Sequence, residues 1–405
     1  SSAFDADFAA GVPGTSPYPV AHCDICGWKD KCSRELDEAD HLSRIAGIRR
    51  DQVEALELAG VSTVHALAEL DPATEVEDLR KDALEKLQAQ ASLQVASEGG
   101  EPKYELLEPR DERGFERLPQ PSDGDIFFDF EGDPLYGDSG LEYLFGWVEI
   151  DSGEQEFKHI WAKDSAEERQ AFEDFVDFVG ERRKTWPDLH IYHYAPYEVT
   201  ALKRLAATYS TREFELDELL RGKVFVDLYK VVKESLRLGQ DSYSIKKVEA
   251  YYRPEQDGRE TAVADGGDSI IQFEEWLETG DDSIKEAILE YNADDCVSTV
   301  ECRDWLLERR DEAVKQFGTE FPWFLAEFET DGQDERLEAN ADVRQALNAG
   351  VPDLASDRTP AQQAKWLMAR LVDYHQRDAR PGWWEYFERL DYSDPDDFLD
   401  DQEAI

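Results

Sequence analysis

The sequence predicts an α/β protein: a mixed sheet flanked by helices, preceded by a small α-helical region and followed by a helical tail. Three observations carry this reading. Apolar runs broken by turn residues between 122 and 162 read as three successive strands, and strand-like and helical segments alternate after them to about residue 312. Residues 41–100, by contrast, carry only helical patterns. With 405 residues, 41% of them hydrophobic and ten of them Trp, the chain is long and apolar enough for two or three folded domains.

Each element follows from local signals. Residues 1–40 hold three clustered cysteines and few periodic segments. From Leu42 to Leu70, LSRIAGIRRDQVEALELAGVSTVHALAEL contains two short helical patterns, with Gly47 and Gly60 where a helix must stop or the backbone turn tightly. A helix is expected from Val76 to Ser97, then EGGEP as a linker and an extended connection rich in Pro, Gly and charge. DIFFDFEGDP reads as a buried strand; EYLFGWVEI and EFKHIWA make two more, joined by a tight DSG turn. Phe172, Phe175, Val176 and Val179 recur at helical spacing between Ala166 and Glu181. LHIYHY is the next strand, a helix follows from Pro196 to Tyr209, KVFVDLYKVV is a strand running into a helix, and Ser283 to Arg310 is a long helix. The expected domains are 1–40, a helical 41–100, a linker over 101–121, the α/β domain over 122–312 and a helical tail over 313–405. No internal repeat is visible.

Charge is the most unusual bulk property. Ninety-three acidic residues against 44 basic ones leave −49, spread along the whole chain, and Arg outnumbers Lys 27 to 17. Such a surplus suits a halophilic protein, because in roughly 1 M salt screening acts over about 3 Å and removes self-repulsion. An acidic pI then does not exclude nucleic acid as a partner. No run of eighteen apolar residues occurs, so no membrane span is expected; the first twenty residues lack a basic start and an apolar stretch, and a cytoplasmic location is expected.

Asp129 and Glu131 stand two apart on one predicted strand, so both carboxylates face the same side while Phe130 points to the opposite layer. Two such carboxylates repel, and burying them is costly unless something neutralises them; a divalent cation with a preference for oxygen ligands does so. Tyr291 and Asp295 lie four apart on a predicted helix, one turn from each other on one face. A phenol placed above a metal-binding carboxylate can orient an attacking water. Glu198, in HYAPYE at a strand-to-helix junction, could add a further carboxylate; Asp227 and Asp294 are lesser candidates.

Together, D-x-E on the first strand, an acid at the junction and Y-x-x-x-D on a late helix resemble the DEDDy exonucleases. More closely, IFFDFEGDP, EYLFGW, YHYAPYE, VDLY, SYSIKKVE and YNADDC resemble, in that order, the YprB-type RNase H-like domain of the RecB-like nucleases, over residues 122–312. The resemblance implies an RNase H-like fold and a metal-dependent 3′→5′ exonuclease-type nuclease in DNA repair or recombination. It makes Asp129, Glu131, Glu198 and Asp295 ligands of two Mg²⁺ or Mn²⁺ ions and Tyr291 the water-positioning residue. DEDD enzymes usually carry Asp at the second motif; here it is Glu198, one methylene longer. The alternative is a non-catalytic nucleic-acid-binding scaffold joining a RecB-like nuclease to a helicase. DNA, as a single strand or an end, is expected over RNA.

Cys23, Cys26 and Cys32 form C-x2-C-x5-C, a spacing that resembles the C-terminal end of RecB/AddB-type nuclease domains, where three such cysteines and one upstream hold a [4Fe–4S] cluster. No upstream cysteine precedes them here, so the set is incomplete; a zinc site completed by His22 and three unligated thiols are the alternatives. Leu42–Leu70 is similar to a helix–hairpin–helix unit. The Gly47 turn would present backbone N–H groups to a phosphate, with Arg49 and Arg50 as further contacts; a helical spacer is the other reading. Lys246 and Lys247 form another basic spot in this acidic chain. The segment from Gln362 to Asp401 resembles the lead-in to a superfamily-1 helicase, yet no G-x-x-x-x-G-K-[ST] occurs, so a helicase and a RecB-like nuclease are expected in a longer protein. Trp383 and Trp384 either stack on bases or pack internally.

Overall fold

The structure is a computed structural model. It describes residues 17–20, 22–23, 26–137, 139–151, 153–254, 266–325, 334–352, 357–372, 374–390 and 392. Residues 1–16, 21, 24 and 25 of the proposed remnant over 1–40, and the end of the helicase-like lead-in, at 391 and from 393, lie outside the described residues. No helix of the described residues is long and apolar enough to cross a membrane.

In chain order the elements begin with α1 (Lys29–Glu38), α2 (Arg50–Leu58), α3 (Val64–Ala68), α4 (Lys81–Ser97) and β1 (Tyr104–Leu106). Next come β2 (Ile126–Asp133), β3 (Leu141–Asp151), β4 (Glu154–Trp161), α5 (Ser165–Thr185), β5 (Ile191–His193), α6 (Tyr197–Tyr209), α7 (Glu213–Arg221) and β6 (Phe225–Asp227). They are followed by α8 (Leu228–Ser235), β7 (Leu236–Leu238), α9 (Ile245–Val248), α10 (Gly266–Thr279), α11 (Asp282–Phe317), α12 (Asp334–Asn348), α13 (Pro360–Leu371) and α14 (Tyr374–Leu390).

The chain forms two compact units. One comprises residues 1–118, 228–291 and 298–323, the other residues 119–227, 292–297 and 324–405. In the first, Leu42, Ile45, Val53, Leu56, Val64 and Leu67 of the helical region close a core with Leu84, Leu87 and Ala91 of α4. Gly47 (φ +76°) and Gly60 (φ +84°) make the turns at left-handed angles that L side chains resist. The helix expected from Val76 starts instead at Lys81, because Asp78 adopts φ +63° and interrupts helical geometry before it. The expected extended connection contains β1, which pairs antiparallel with β7.

The second unit is built on a five-stranded sheet in the order β4-β3-β2-β5-β6. β4, β3 and β2 form the antiparallel meander expected from the sequence, while β5 and β6 add in parallel on the far side of β2. The period of two along β2 divides its side chains. Ile126, Phe128 and Phe130 join Phe145 and Trp147 of β3 and Phe172, Phe175 and Val179 of α5 in the main core. Phe128 stacks on Phe175 at 4.2 Å and meets Phe130 edge-on at 4.7 Å. That packing anchors one face of β2 and leaves Asp129 and Glu131 on the other. Trp384 is buried against the same core and donates its indole N–H to Asp217 at 2.8 Å, so packing is its role here; Trp383 is 56% exposed.

Candidate metal centre

β2 is central in the sheet, and its acidic face is covered by the segment 292–297 of α11 within the same unit. Ligand oxygens of Asp129, Glu131 and Asp295 there lie within 4.8 Å of one another. No other group of three His, Cys, Asp or Glu among the described residues meets in this way. A β-bulge falls between Glu131 and Gly132, re-aiming the strand just past the second carboxylate. Gly132 leaves the space there that Glu142 and the Tyr197 hydroxyl occupy.

Electrostatics mark the cluster as short of positive charge. Burial pushes the Asp129 carboxyl well above its ordinary value, and the negative charges of Asp295, Glu131 and Glu198 push it further, as does a hydrogen bond with Glu198. Burial likewise raises the neighbouring Cys296 thiol, with the same carboxylates adding to it. Three converging carboxylates are the donor set a hard divalent cation prefers, and such a cation would relieve the repulsion that raises Asp129. The residues therefore fit a divalent cation.

Glu198 stands outside the triplet but beside it. It sits in the first turn of α6, 4% exposed, with its Oε2 3.3 Å from His193 Nδ1. His193 donates from that nitrogen to the Ala195 carbonyl at 2.7 Å. Burial works against a charge on His193, but the Glu198 hydrogen bond and nearby Asp227 outweigh it and raise its pKa. The turn between β5 and α6 is strained: Ala195 has φ +75°, and its N–H is held by Asp227 Oδ1 at 2.9 Å. Asp227 thus fastens the loop that delivers Glu198. Beyond it, Tyr197 donates to Glu142 at 3.0 Å, and the Arg204 guanidinium pairs with the same carboxylate.

Residues 126–307 match the family model of the RNase H superfamily. The match spans the whole five-stranded sheet, the acidic triplet and most of α11. An RNase H-like domain suggests a nucleic-acid-hydrolysing enzyme, and its carboxylate cluster could bind a divalent metal. No curated protein and no solved structure gives a significant match to the chain.

Tyr291 lies one helical turn before Asp295 on α11, 3% exposed. In the first unit, Lys246 Nζ is 5.1 Å from the centre of the Tyr291 ring, and Lys247 pairs with Asp241 at 3.0 Å. Arg49 pairs with Asp51, and Arg50 pairs with Glu54 and lies over the Tyr18 ring. These pairs are exposed and contribute little, roughly 0–1 kcal/mol each, so they can open. Cys23, Cys26 and Cys32 do not converge as a ligand group with His22 among the described residues; Cys23 Sγ accepts from the Val20 N–H at 3.4 Å. Sequence reasoning missed Asn292, Gly146, His193 and Glu142. For Asn292 a signal existed: in YNADDC it stands three residues before Asp295, on the same helical face.

Proposed function

We propose that the chain is a metal-dependent nuclease of the DEDDy, 3′→5′ exonuclease type, acting on single strands or ends of DNA. The observation that carries this reading is the convergence of Asp129, Glu131 and Asp295 from two elements distant in sequence onto one face of the central strand. Asp129, Glu131 and Asp295 would hold the cations, with Glu198 as the fourth, longer acid leaning on Asp129 and His193. Two ions held there would supply an activated water and charge neutralisation for in-line displacement at phosphorus. Tyr291, one turn from Asp295, would accept and orient that water through its hydroxyl.

Gly47, Arg49, Arg50, Lys246 and Lys247 would contact the phosphate backbone without reading sequence. Residues 122–312 would form the catalytic domain, 41–100 a helix–hairpin–helix-like unit, 101–121 a linker and 313–405 a tail towards a helicase in a longer cytoplasmic, salt-adapted protein. Cys23, Cys26 and Cys32 would be the remainder of a [4Fe–4S] ligand set from a RecB-like nuclease domain, and iron and sulfide assays on anaerobically purified protein test that. The central test is hydrolysis of end-labelled single-stranded DNA with Mn²⁺ or Mg²⁺. Asp129→Ala should abolish it, and activity surviving that change removes the site. Metal-independent binding of DNA with no hydrolysis selects the scaffold reading instead.

A further inference from the structure

Asn292 is fully buried beside the carboxylate cluster and adds no charge to it. Its Nδ2 donates to Asp129 Oδ2 at 2.7 Å. Its other end, Oδ1, lies 4.0 Å from Cys296 Sγ, one turn further along α11. On the strand side the amide is seated over Gly146, which β-pairing places directly opposite Asp129. A Cβ at 146 would collide with Asn292 Oδ1, so the absence of a side chain there is what lets the amide reach Asp129. Asp129, Gly146 and Asn292 thus form a single fitted contact, with a gap in β3 filled by a helix side chain that grips the strand carboxylate. A buried amide with both ends occupied has one productive orientation, and an isosteric apolar side chain would leave Asp129 Oδ2 without this donor.

We propose that Asn292 is a positioning residue for the metal site: it fixes the rotamer of Asp129 by holding Oδ2, and Gly146 is required because it gives Asn292 its seat. The inference rests on the reading of the carboxylate triplet as a divalent-cation site. Residues in this supporting role typically change metal affinity by about 10–100-fold when replaced.

The test is Mn²⁺ binding to the full chain, read from the electron paramagnetic resonance signal of free Mn²⁺, with melting in EDTA measured alongside. Wild type is compared with Asn292→Leu, Gly146→Ala, Asn292→Ala and the Asn292→Ala/Gly146→Ala pair. Asn292→Leu and Gly146→Ala should each weaken Mn²⁺ binding by roughly 10–100-fold. In the Asn292→Ala background, adding Gly146→Ala should cost little further affinity, because the new methyl enters space the amide has left and then meets the Phe157 ring edge, 3.0 Å away, which must give by a few tenths of an ångström. That non-additivity separates positioning from a general loss of packing, and it survives if Asn292→Leu fails to fold. Mn²⁺ affinity within about threefold of wild type in the folded single variants overturns the proposal, as does an equal effect of Gly146→Ala in both backgrounds. If wild type itself binds no Mn²⁺, the cation-site reading fails first and takes this inference with it.

Discussion

Replacing Asp129 with Asn should abolish activity and yet stabilise the metal-free protein. Asp129 lies no more than 4.8 Å from each of two other carboxylates at the ligand oxygens. At that separation two full charges repel by about 3.5 kcal/mol if the effective dielectric constant is about 20, and by about 1 kcal/mol if it is that of water. The raised pKa of Asp129 means that part of this repulsion is already relieved by a bound proton, so the recoverable energy is a fraction of the sum. A gain of about 1–3 kcal/mol at pH 8 is the reasonable expectation, equivalent to roughly 2–10 °C in melting temperature for a domain near 200 residues. Asn keeps an oxygen where Asn292 Nδ2 now donates, so that contact is retained and the charge alone is removed. The assay is thermal unfolding in EDTA at fixed high salt, beside nuclease activity in Mn²⁺. A melting temperature lower than wild type in EDTA would refute the claim that the site is held against its own repulsion. Wild-type activity in Asp129→Asn would refute its catalytic assignment. The two results are independent, since one concerns the empty site and the other the loaded one.

Further outcomes follow from the same geometry. Tyr291→Phe removes a hydroxyl and no metal ligand, so the rate should fall by roughly 10²–10⁴-fold while Mn²⁺ affinity stays at the wild-type value; a parallel loss of both contradicts the water-positioning role. Because burial and neighbouring carboxylates raise Asp129, the folded metal-free chain keeps a proton that the unfolded chain releases, and stability falls as pH rises from the ordinary carboxylate range through the raised folded value. Mn²⁺ displaces that proton, so its stabilising increment should be larger near pH 8 than near pH 5, and a pH-independent increment takes Asp129 out of the ligand set. A net charge of −49 should make the melting temperature climb steeply between about 0.1 M and 2 M NaCl; a flat dependence rejects the salt-adapted reading.

What could be read from the sequence was whatever depends on local periodicity. Two residues apart on a strand is one face, so Asp129 and Glu131 were legible as a pair; four apart on a helix is one turn, so Tyr291 and Asp295 were too. The meander of β2, β3 and β4 was legible because its strands are long enough to show their pattern. β1 and β7 were not: each has three residues, and Tyr104 pairs with Leu238 across a separation no local pattern encodes. Ala195 takes a left-handed angle without the glycine that would announce it, because Asp227, on another strand, holds its N–H.

The same division runs through the site itself. Sequence placed the acids on their elements, but what brings Asp295 to Asp129 is a helix seated against a strand, and the fitted contact between them is Asn292 over Gly146. Neither residue would be a ligand, and neither carries a charge, so no inventory of acidic motifs could have singled them out. Yet a carboxylate that binds metal must be repelled by its neighbours when empty and still keep its rotamer. Phe128 and Phe130 hold the strand from behind, and a neutral amide supplies one donor from the front without neutralising the charge the cation needs. An Arg or Lys in that position would satisfy Asp129 so fully that a cation would have to displace it. A neutral amide therefore suits this position: it restrains Asp129 without competing with the metal for its charge.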